Sequence, residues 1–121
     1  MHDIILITGN VQYKITLDPT IWIFDDRRFP LEERIEGAEG LAMEIEPFIH
    51  NAKPLENTSK AILHLRNEET IELRFADLLS SLVCFAIDNK PIREGGPALL
   101  YLADGSNKAK PISNIKEIEL I

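Results

Sequence analysis

The chain has 121 residues, 45% of them hydrophobic, and a formal net charge of −7 at pH 7. A chain of this size can hide about two thirds of its unfolded surface in one core, so we expect a single domain spanning residues 1–121. The acidic balance disfavours nucleic-acid binding, and the one cysteine, Cys84, excludes an internal disulfide and a cysteine-based zinc cluster.

The first residues predict short strands separated by turns. Residues 4–7 are apolar, and residues 11–17 alternate apolar and polar side chains with the period of two that is typical of a strand with one wet face. Asp18 followed by Pro19 indicates a turn. Residues 21–24 are rich in β-branched and aromatic side chains and predict another strand.

The sequence also bears on location. The apolar run at residues 4–7 is too short for the hydrophobic core of an export signal. No run of about 18 apolar residues predicts a membrane span. We therefore expect a cytoplasmic protein.

Residues 29–59 predict a variable, acidic and irregular excursion. Residues 25–46 hold eight acids and three bases, which places five of the seven net negative charges in this part of the chain. Residues 31–36 predict one helical turn after a proline, and residues 41–49 predict irregular structure or a short edge strand. Residues 51–59 have the composition of a loop.

The second half predicts a hairpin, a short helical turn, an apolar strand and two closing strands. These elements occupy residues 61–65 and 71–75, 76–81, 82–87, 98–103 and the segment around Ile118 and Leu120. Asp88 and Asn89 tolerate a positive φ and favour a tight turn after the apolar strand. Many short strands and little helix predict a fold that is mainly β with minor α content (α+β). We expect a small sandwich or partly closed barrel of about seven to nine short strands.

The order of elements from residue 61 onward resembles the C-terminal part of the sulfite-oxidase-type molybdopterin-binding fold. The matching pieces are the hairpin, the turn Asp77-Leu78-Leu79, the strand 82–87, the turn 88–91, Gly95-Gly96-Pro97, the strand 99–102 and the strand 115–120. Glycines permit a conformation without a Cβ clash, and the proline then fixes φ on entry to the next strand. The resemblance implies the core of that fold.

The same resemblance implies that the usual cofactor site is missing. Enzymes of that family hold their metal through a cysteine far upstream of the Gly-Gly-Pro turn, together with basic residues that bind the pterin phosphate. Here Cys84 lies eleven positions before Gly95, inside an apolar strand. We therefore expect no molybdopterin, no other cofactor and no catalytic residue carried over from the family.

Nearly the whole chain also resembles a small family of Gram-positive bacterial proteins. The resemblance is carried by ITGNVQYKITLDPTIWIFDDR at residues 7–27 and by DGSNK at residues 104–108. Some members of that family are labelled peptidyl-prolyl isomerases. No residue pattern in this chain supports that activity.

One candidate contact site follows the strand predicted at residues 21–24. Asp25 and Asp26 form a carboxylate pair that could bind a metal or act as an acid–base pair. The neighbouring Arg27 and Arg28 could equally neutralise these acids in a solvated turn. Trp22 is expected to pack in the core or at a subunit interface, with ligand stacking as the alternative.

The other candidate site is the polar loop that contains Asp104, Ser106, Asn107 and Lys108. These groups could cradle an anion or a calcium ion, or they could only turn the chain. The loop is too short for a calcium-hand loop and lacks the required spacing of acids.

The histidines and the cysteine predict no site of their own. His2, His50 and His64 are scattered without ligand spacing, so a structural or surface role is expected. Cys84 has apolar neighbours and is expected to behave as a small buried hydrophobe.

Two functions remain open at this level. The first is a non-catalytic binding or interaction module that contacts an unknown protein or small-molecule ligand and forms a homodimer through a strand edge. The second is a small enzyme or metal-binding protein that uses Asp25 or Asp26. Neither function involves nucleic acid or a membrane.

Overall fold

The computed structural model describes residues 3–121, in which ten strands and four short helices follow one another. The strands are β1 (Ile5–Gly9), β2 (Ile15–Leu17), β3 (Phe29–Pro30), β4 (Leu41–Glu44), β5 (Lys60–Leu65), β6 (Thr70–Arg74), β7 (Leu82–Ile87), β8 (Lys90–Pro91), β9 (Leu99–Tyr101) and β10 (Ile115–Leu120). The α-helices are α1 (Glu46–Asn51) and α2 (Phe75–Leu79), and 3₁₀ helices span Pro19–Phe24 and Leu31–Glu33. No helix of these residues is long and apolar enough to cross a membrane. The prediction for His2 lies outside the described residues.

The strands form two five-stranded sheets that share one core. Sheet A has the order β2-β1-β10-β5-β6, with β1 and β10 parallel and the other neighbours antiparallel. Sheet B has the order β3-β4-β7-β8, and β9 also pairs with β7. The mainly β fold with minor α content is confirmed, and within residues 3–121 the sheets do not close into a barrel. The strand count exceeds the predicted range because β3 and β8 have only two residues each.

The main core lies between the inner faces of the two sheets. Ile7, Leu63 and Ile118 lie side by side across β1, β5 and β10, and all three are buried. Val83 and Phe85 of β7 belong to the same core from the side of sheet B. Alternating inward side chains on both sheets thus account for the period-two pattern of the strands.

A second apolar cluster covers the opposite face of β7. Leu82 and Cys84 alternate with the core residues of β7 and pack in this cluster with Leu31, Ile35 and Ala38. Because both of its faces are covered, β7 is apolar throughout, as predicted. Part of the acidic excursion therefore has a defined role, since its apolar residues cover sheet B while its glutamates face solvent.

The rest of residues 29–59 is also more regular than the predicted excursion. Residues 41–49 form β4 and most of α1, and β4 lies between β3 and β7 as an inner strand of the sheet. Pro47 lies in the first turn of α1, where its missing N–H removes no helix hydrogen bond.

The strand predicted at residues 21–24 is wrong, because these residues belong to the 3₁₀ helix Pro19–Phe24. The Asp18 side chain caps this helix by accepting a hydrogen bond from the Thr20 N–H at 3.1 Å. Pro19 and Trp22 are the buried residues of the helix, and their spacing of three residues matches one 3₁₀ turn. Burial of these two side chains, together with the cap, overrides the β-propensity of the segment.

The strand predicted at residues 11–17 is shorter in the structure, where β2 covers only Ile15–Leu17. The backbone N–H groups of Gln12 and Tyr13 donate to the carbonyls of Lys53 and Ala52, at 3.0 Å each, instead of to β1. A loop contact thus replaces the first half of the expected strand pairing.

The elements of the second half are confirmed. β5 and β6 form the predicted hairpin, and the Asn67 side chain accepts a hydrogen bond from the Glu69 N–H at 3.0 Å within its turn. Asp88 and Asn89 have φ angles of 55° and 61°, as the predicted tight turn requires. The helix predicted at 76–81 is α2, and the closing strands are β9 and β10.

Candidate functional site

Asp25 holds its own turn together. Its carboxylate accepts hydrogen bonds from the Arg27 backbone N–H at 2.8 Å, from Arg27 Nε at 3.0 Å and from Arg27 Nη2 at 2.7 Å. The side-chain bond from Arg27, followed by the backbone bond, lowers the pKa of the Asp25 carboxyl from 3.8 to about 2. Asp26 is exposed beside it, and Arg28 Nη1 donates to the Asp25 carbonyl at 2.8 Å. The predicted carboxylate pair is therefore a surface turn in which one acid already binds an arginine.

This arrangement predicts the titration of Asp25. In an NMR pH titration we expect the Asp25 carboxyl to have its midpoint near pH 2, and Arg27→Gln to return it toward 3.8. Because the folded-state pKa is depressed, the contact stabilises the fold above the ordinary pKa and its contribution is lost as the pH falls through about 2. Arg28→Gln is the control and should move the midpoint much less. If Arg27→Gln leaves the midpoint of Asp25 unchanged, the contact with Arg27 does not lower the pKa of Asp25.

An aromatic stack connects this turn to the core. Trp22 stacks on Phe48 with ring centroids 4.8 Å apart and meets Phe85 edge-on at 5.8 Å. The Arg27 guanidinium lies 5.1 Å from the centroid of the Phe48 ring. Trp22 is only 4% exposed, so its ring packs in the core, which is one of the predicted alternatives.

The side chains of the loop at 104–108 are used within the fold. Asp104 Oδ1 accepts a hydrogen bond from the Ser106 N–H at 2.8 Å, and this backbone bond lowers the pKa of Asp104. Asn107 Oδ1 accepts from the Leu102 N–H at 2.9 Å, and Asn107 Nδ2 donates to the Leu100 carbonyl at 3.1 Å. The Asn107 amide therefore holds the loop against the C-terminal end of β9, because it bonds one backbone N–H and one backbone carbonyl there.

Asn107 should consequently matter for stability. We expect Asn107→Ala to lower the free energy of unfolding by about 1–3 kcal/mol, because it leaves the Leu102 N–H without its partner and removes one of the two hydrogen bonds that the Leu100 carbonyl accepts. Urea denaturation measures this loss. Ser106→Ala, next to it and exposed, is the matched control and should change stability by no more than about 0.5 kcal/mol. Equal losses in the two variants contradict the bracing role of Asn107.

The same loop forms one wall of a shallow cleft. The cleft has a volume of about 190 Å³ and is lined by Arg34, Ile35, Glu36, Asp104, Gly105 and Lys108. Lys108 Nζ donates to the Glu36 carbonyl at 2.8 Å across it. Arg34 lies 4.6 Å from the centroid of the Phe29 ring, and its Nη2 donates to Glu44 at 3.1 Å. The mixed lining and these existing contacts give the cleft no clear preference for an anion or a cation.

The described histidines and the cysteine form no metal site. Among residues 3–121, no three His, Cys, Asp or Glu side chains are grouped so that they could hold a metal ion. His64 Nε2 lies 2.9 Å from Glu119 Oε1, and His50 Nε2 lies 3.4 Å from Glu46 Oε2. Cys84 is buried, and burial raises the pKa of its thiol to about 11, so it is protonated at neutral pH.

The most unusual surface lies on the outer side of the 3₁₀ helix Pro19–Phe24. Phe24 is 85% exposed and Ile21 is 59% exposed, and the two residues are three positions apart on the helix. The 3₁₀ period that buries Pro19 and Trp22 therefore presents Ile21 and Phe24 together to solvent. A strand over residues 21–24 would instead place Trp22 and Phe24 on one face, which is why this surface could not be found from the sequence pattern.

A groove lies beside Thr20, on another side of the same 3₁₀ helix. It has a volume of about 610 Å³ and is lined by Asp3, Thr20, Pro91, Ile92, Arg93 and Pro97. A smaller depression shares Thr20 and Pro91 with it and continues over Ile23, Phe85 and Asn89. The groove combines the 3₁₀ helix with the segment after β7, which only the folded chain brings together. We call the exposed pair Ile21 and Phe24 the Phe24 face.

Comparisons with known proteins support the fold and do not identify a function. No protein-family model and no curated protein sequence matches the chain. Its structure is similar to the crystal structure of the sulfane dehydrogenase SoxCD from Paracoccus pantotrophus, with a TM-score of 0.67 at 9% sequence identity. The match covers 97% of this chain but only 37% of that chain. The chain therefore has a fold of the sulfite-oxidase type, as the element order predicted.

Proposed function

We propose that the protein is a non-catalytic interaction module and that it binds a partner protein through the Phe24 face. The observation that carries this proposal is the exposed pair of Phe24, 85% accessible, and Ile21, 59% accessible. Neighbouring large apolar side chains in water are costly, and at a binding surface such side chains act as anchors.

The build of the 3₁₀ helix supports this use of Phe24. Trp22 fixes the helix to the core through its contacts with Phe48 and Phe85. The Asp18 cap fixes the start of the helix. A rigid backbone presents Phe24 at low entropic cost, which favours binding. Charged residues follow Phe24 directly, at Asp25, Asp26 and Arg27, and such residues are usual at the polar rim of an interface.

The proposal is tested by affinity capture with quantitative mass spectrometry from the cells that make the protein. The test variant is Ile21→Ser with Phe24→Ser, and we expect it to stay folded and to lose a protein that the unmodified chain retains. The control variant replaces Tyr13 and Leu55, which are 55% and 42% exposed on another part of the surface, by serine. If the test variant captures the same proteins as the unmodified chain, the proposal is contradicted.

An enzymatic role for Asp25 and Asp26 has less support. Asp25 is bound on both oxygens by Arg27, so a metal or a substrate would first have to displace the arginine. Membership of the Gram-positive family stays a prediction from residues 7–27 and 104–108, as does the cytoplasmic location. We expect no prolyl-isomerase activity above the uncatalysed rate in a standard peptide assay.

A further inference from the structure

The outer edge of β6 carries no other strand among residues 3–121. β6 is the last strand of sheet A and pairs only with β5. Phe75 N–H donates to the Ser59 carbonyl at 3.0 Å, and Leu65 N–H donates to the Glu69 carbonyl at 2.9 Å. Since antiparallel ladders alternate, the backbone groups of the odd-numbered residues face β5. Those of Thr70 and Glu72 point outward, as does the N–H of Arg74, whose carbonyl accepts the first hydrogen bond of α2.

This edge lacks two of the features that usually prevent strands from pairing. β6 has no proline, its pairing with β5 has no bulge, and its two charged residues, Glu72 and Arg74, have opposite signs. Its core-side residues Ile71 and Leu73 are apolar and only half-buried, as is Phe75 just beyond the strand. A second strand at this edge would cover these side chains and bond the outward backbone groups.

We propose that β6 pairs with β6 of a second copy of this chain, antiparallel about a two-fold axis at Leu73. Two copies can join their outward backbone groups only in registers that set even-numbered residues opposite each other. In the register centred on Leu73, Glu72 of each copy lies opposite the partner's Arg74, and in each such pair the Arg74 N–H donates to the Glu72 carbonyl. The dimer therefore gains two opposite-charge pairs on its outer face.

The inner face of the same register is complementary as well. Leu73 of one copy meets Leu73 of the other across the axis, and Ile71 lies opposite the partner's Phe75. All three side chains are half-buried in the single chain, so the pairing extends the core of sheet A. Symmetric pairing of one surface with itself is the usual geometry of homodimers.

Other registers are less favourable. Centring the axis on Glu72 sets the two Glu72 carboxylates directly opposite each other, which destabilises a strand pair. Centring it on Ile71 sets Glu72 opposite Thr70 and removes the charge pairs. The charge pattern of β6 thus selects the register at Leu73.

Existing ion pairs fit this arrangement. Arg74 donates to Asp77 from Nε at 2.9 Å and from Nη2 at 3.0 Å, and Lys60 Nζ lies 3.8 Å from Glu72. In the dimer each side of the axis would carry the alternating series Lys60, Glu72, the partner's Arg74 and the partner's Asp77. Leu78 anchors the following helix α2 in the core.

Charge exchange tests this pairing by sedimentation velocity across a concentration series. The unmodified chain should dimerise, and Glu72→Arg or Arg74→Glu alone should each raise the dimer Kd at least about tenfold, because like charges then face each other. An equal mixture of the two single variants should form a heterodimer. The chain that carries both substitutions should dimerise again with itself, since its charge pairs are restored in reverse.

Circular dichroism confirms that each variant is folded, and the mixed and double variants separate lost pairing from lost folding. A wild-type chain that stays monomeric at its highest soluble concentration overturns the dimer. A dimer Kd that stays unchanged in either single variant overturns the register centred on Leu73, because that register makes both substitutions repulsive. Neither outcome bears on the Phe24 face, which is tested through other residues.

Discussion

Trp22→Ala is expected to lower the free energy of unfolding by about 3–5 kcal/mol. Trp22 is 4% exposed and packs between Phe48 and Phe85, so its removal opens a cavity and frees the 3₁₀ helix from the core. Urea denaturation followed by circular dichroism measures the loss.

Phe24→Ala is the control for this variant, two residues away in the same helix. Phe24 is 85% exposed, so its truncation should change the free energy of unfolding by no more than about 0.5 kcal/mol. A strand at residues 21–24 would give the two aromatic residues similar burial. Similar losses in Trp22→Ala and Phe24→Ala would therefore contradict the helix and, with it, the exposed Phe24 face.

Gly9→Ala is the second variant with a large expected effect. Gly9 has a φ of 88° at the end of β1, and an added Cβ would overlap the Leu120 carbonyl and lie 2.8 Å from the Leu120 backbone nitrogen. Left-handed strain of about 1–2 kcal/mol and crowding of about 1–3 kcal/mol add to a loss of about 2–5 kcal/mol. The clash cannot be relieved by a side-chain rotation, because Leu120 contributes backbone atoms of the neighbouring strand.

Gly37→Ala is the matched control for Gly9→Ala. Gly37 has a similar φ of 83°, but its added Cβ would meet only the flexible end of Lys108, at 3.4 Å. It should show the strain of about 1–2 kcal/mol without the crowding. If Gly9→Ala is no more destabilising than Gly37→Ala in urea denaturation, the close pairing of β1 with β10 is wrong.

Local sequence patterns predicted the second half of the chain well, because the strands and turns that they indicate are also the ones that the core packing requires. The β5–β6 hairpin has period-two alternation on both sides of a polar turn, and Asp88 and Asn89 tolerate the positive φ that their turn needs. The apolar run at residues 82–87 correctly predicted a strand, and in the structure β7 is buried on both faces.

The first half was harder because long-range packing decides its structure. The 3₁₀ helix Pro19–Phe24 depends on Trp22 reaching Phe85 of a distant strand, which no local pattern reveals. The helical turn predicted at residues 31–36 forms as the 3₁₀ helix Leu31–Glu33. The burial of Leu31, Ile35 and Ala38 against sheet B was not predicted, because these residues lie in an acidic segment.

The candidate site shows the same division. Asp25, Arg27, Asp104 and Asn107 are indeed grouped at turns, but their hydrogen bonds organise those turns. Phe24 was not predicted as a site residue, because the sequence predicts a strand at residues 21–24 with Trp22 and Phe24 in the core. Exposure depends on the helix period and on burial of its opposite side, both of which require the fold.

The fold itself does not decide the function. The similarity to the sulfane dehydrogenase structure extends over 37% of that chain and concerns architecture alone. A shared fold hosts many activities, so function has to be argued from particular residues. In this chain those residues are the exposed Ile21 and Phe24 and the open edge of β6.

Photo-crosslinking at position 24 tests the interaction role most directly. A photoreactive phenylalanine analogue at residue 24 keeps an aromatic ring at the Phe24 face, and the same analogue at the exposed residue Glu56 is the control. After irradiation in the cells that make the protein, we predict a discrete covalent product with one partner protein from position 24 and none from position 56. The same products from both positions, or none from position 24 when the protein is folded and abundant, would contradict the interaction module proposed here.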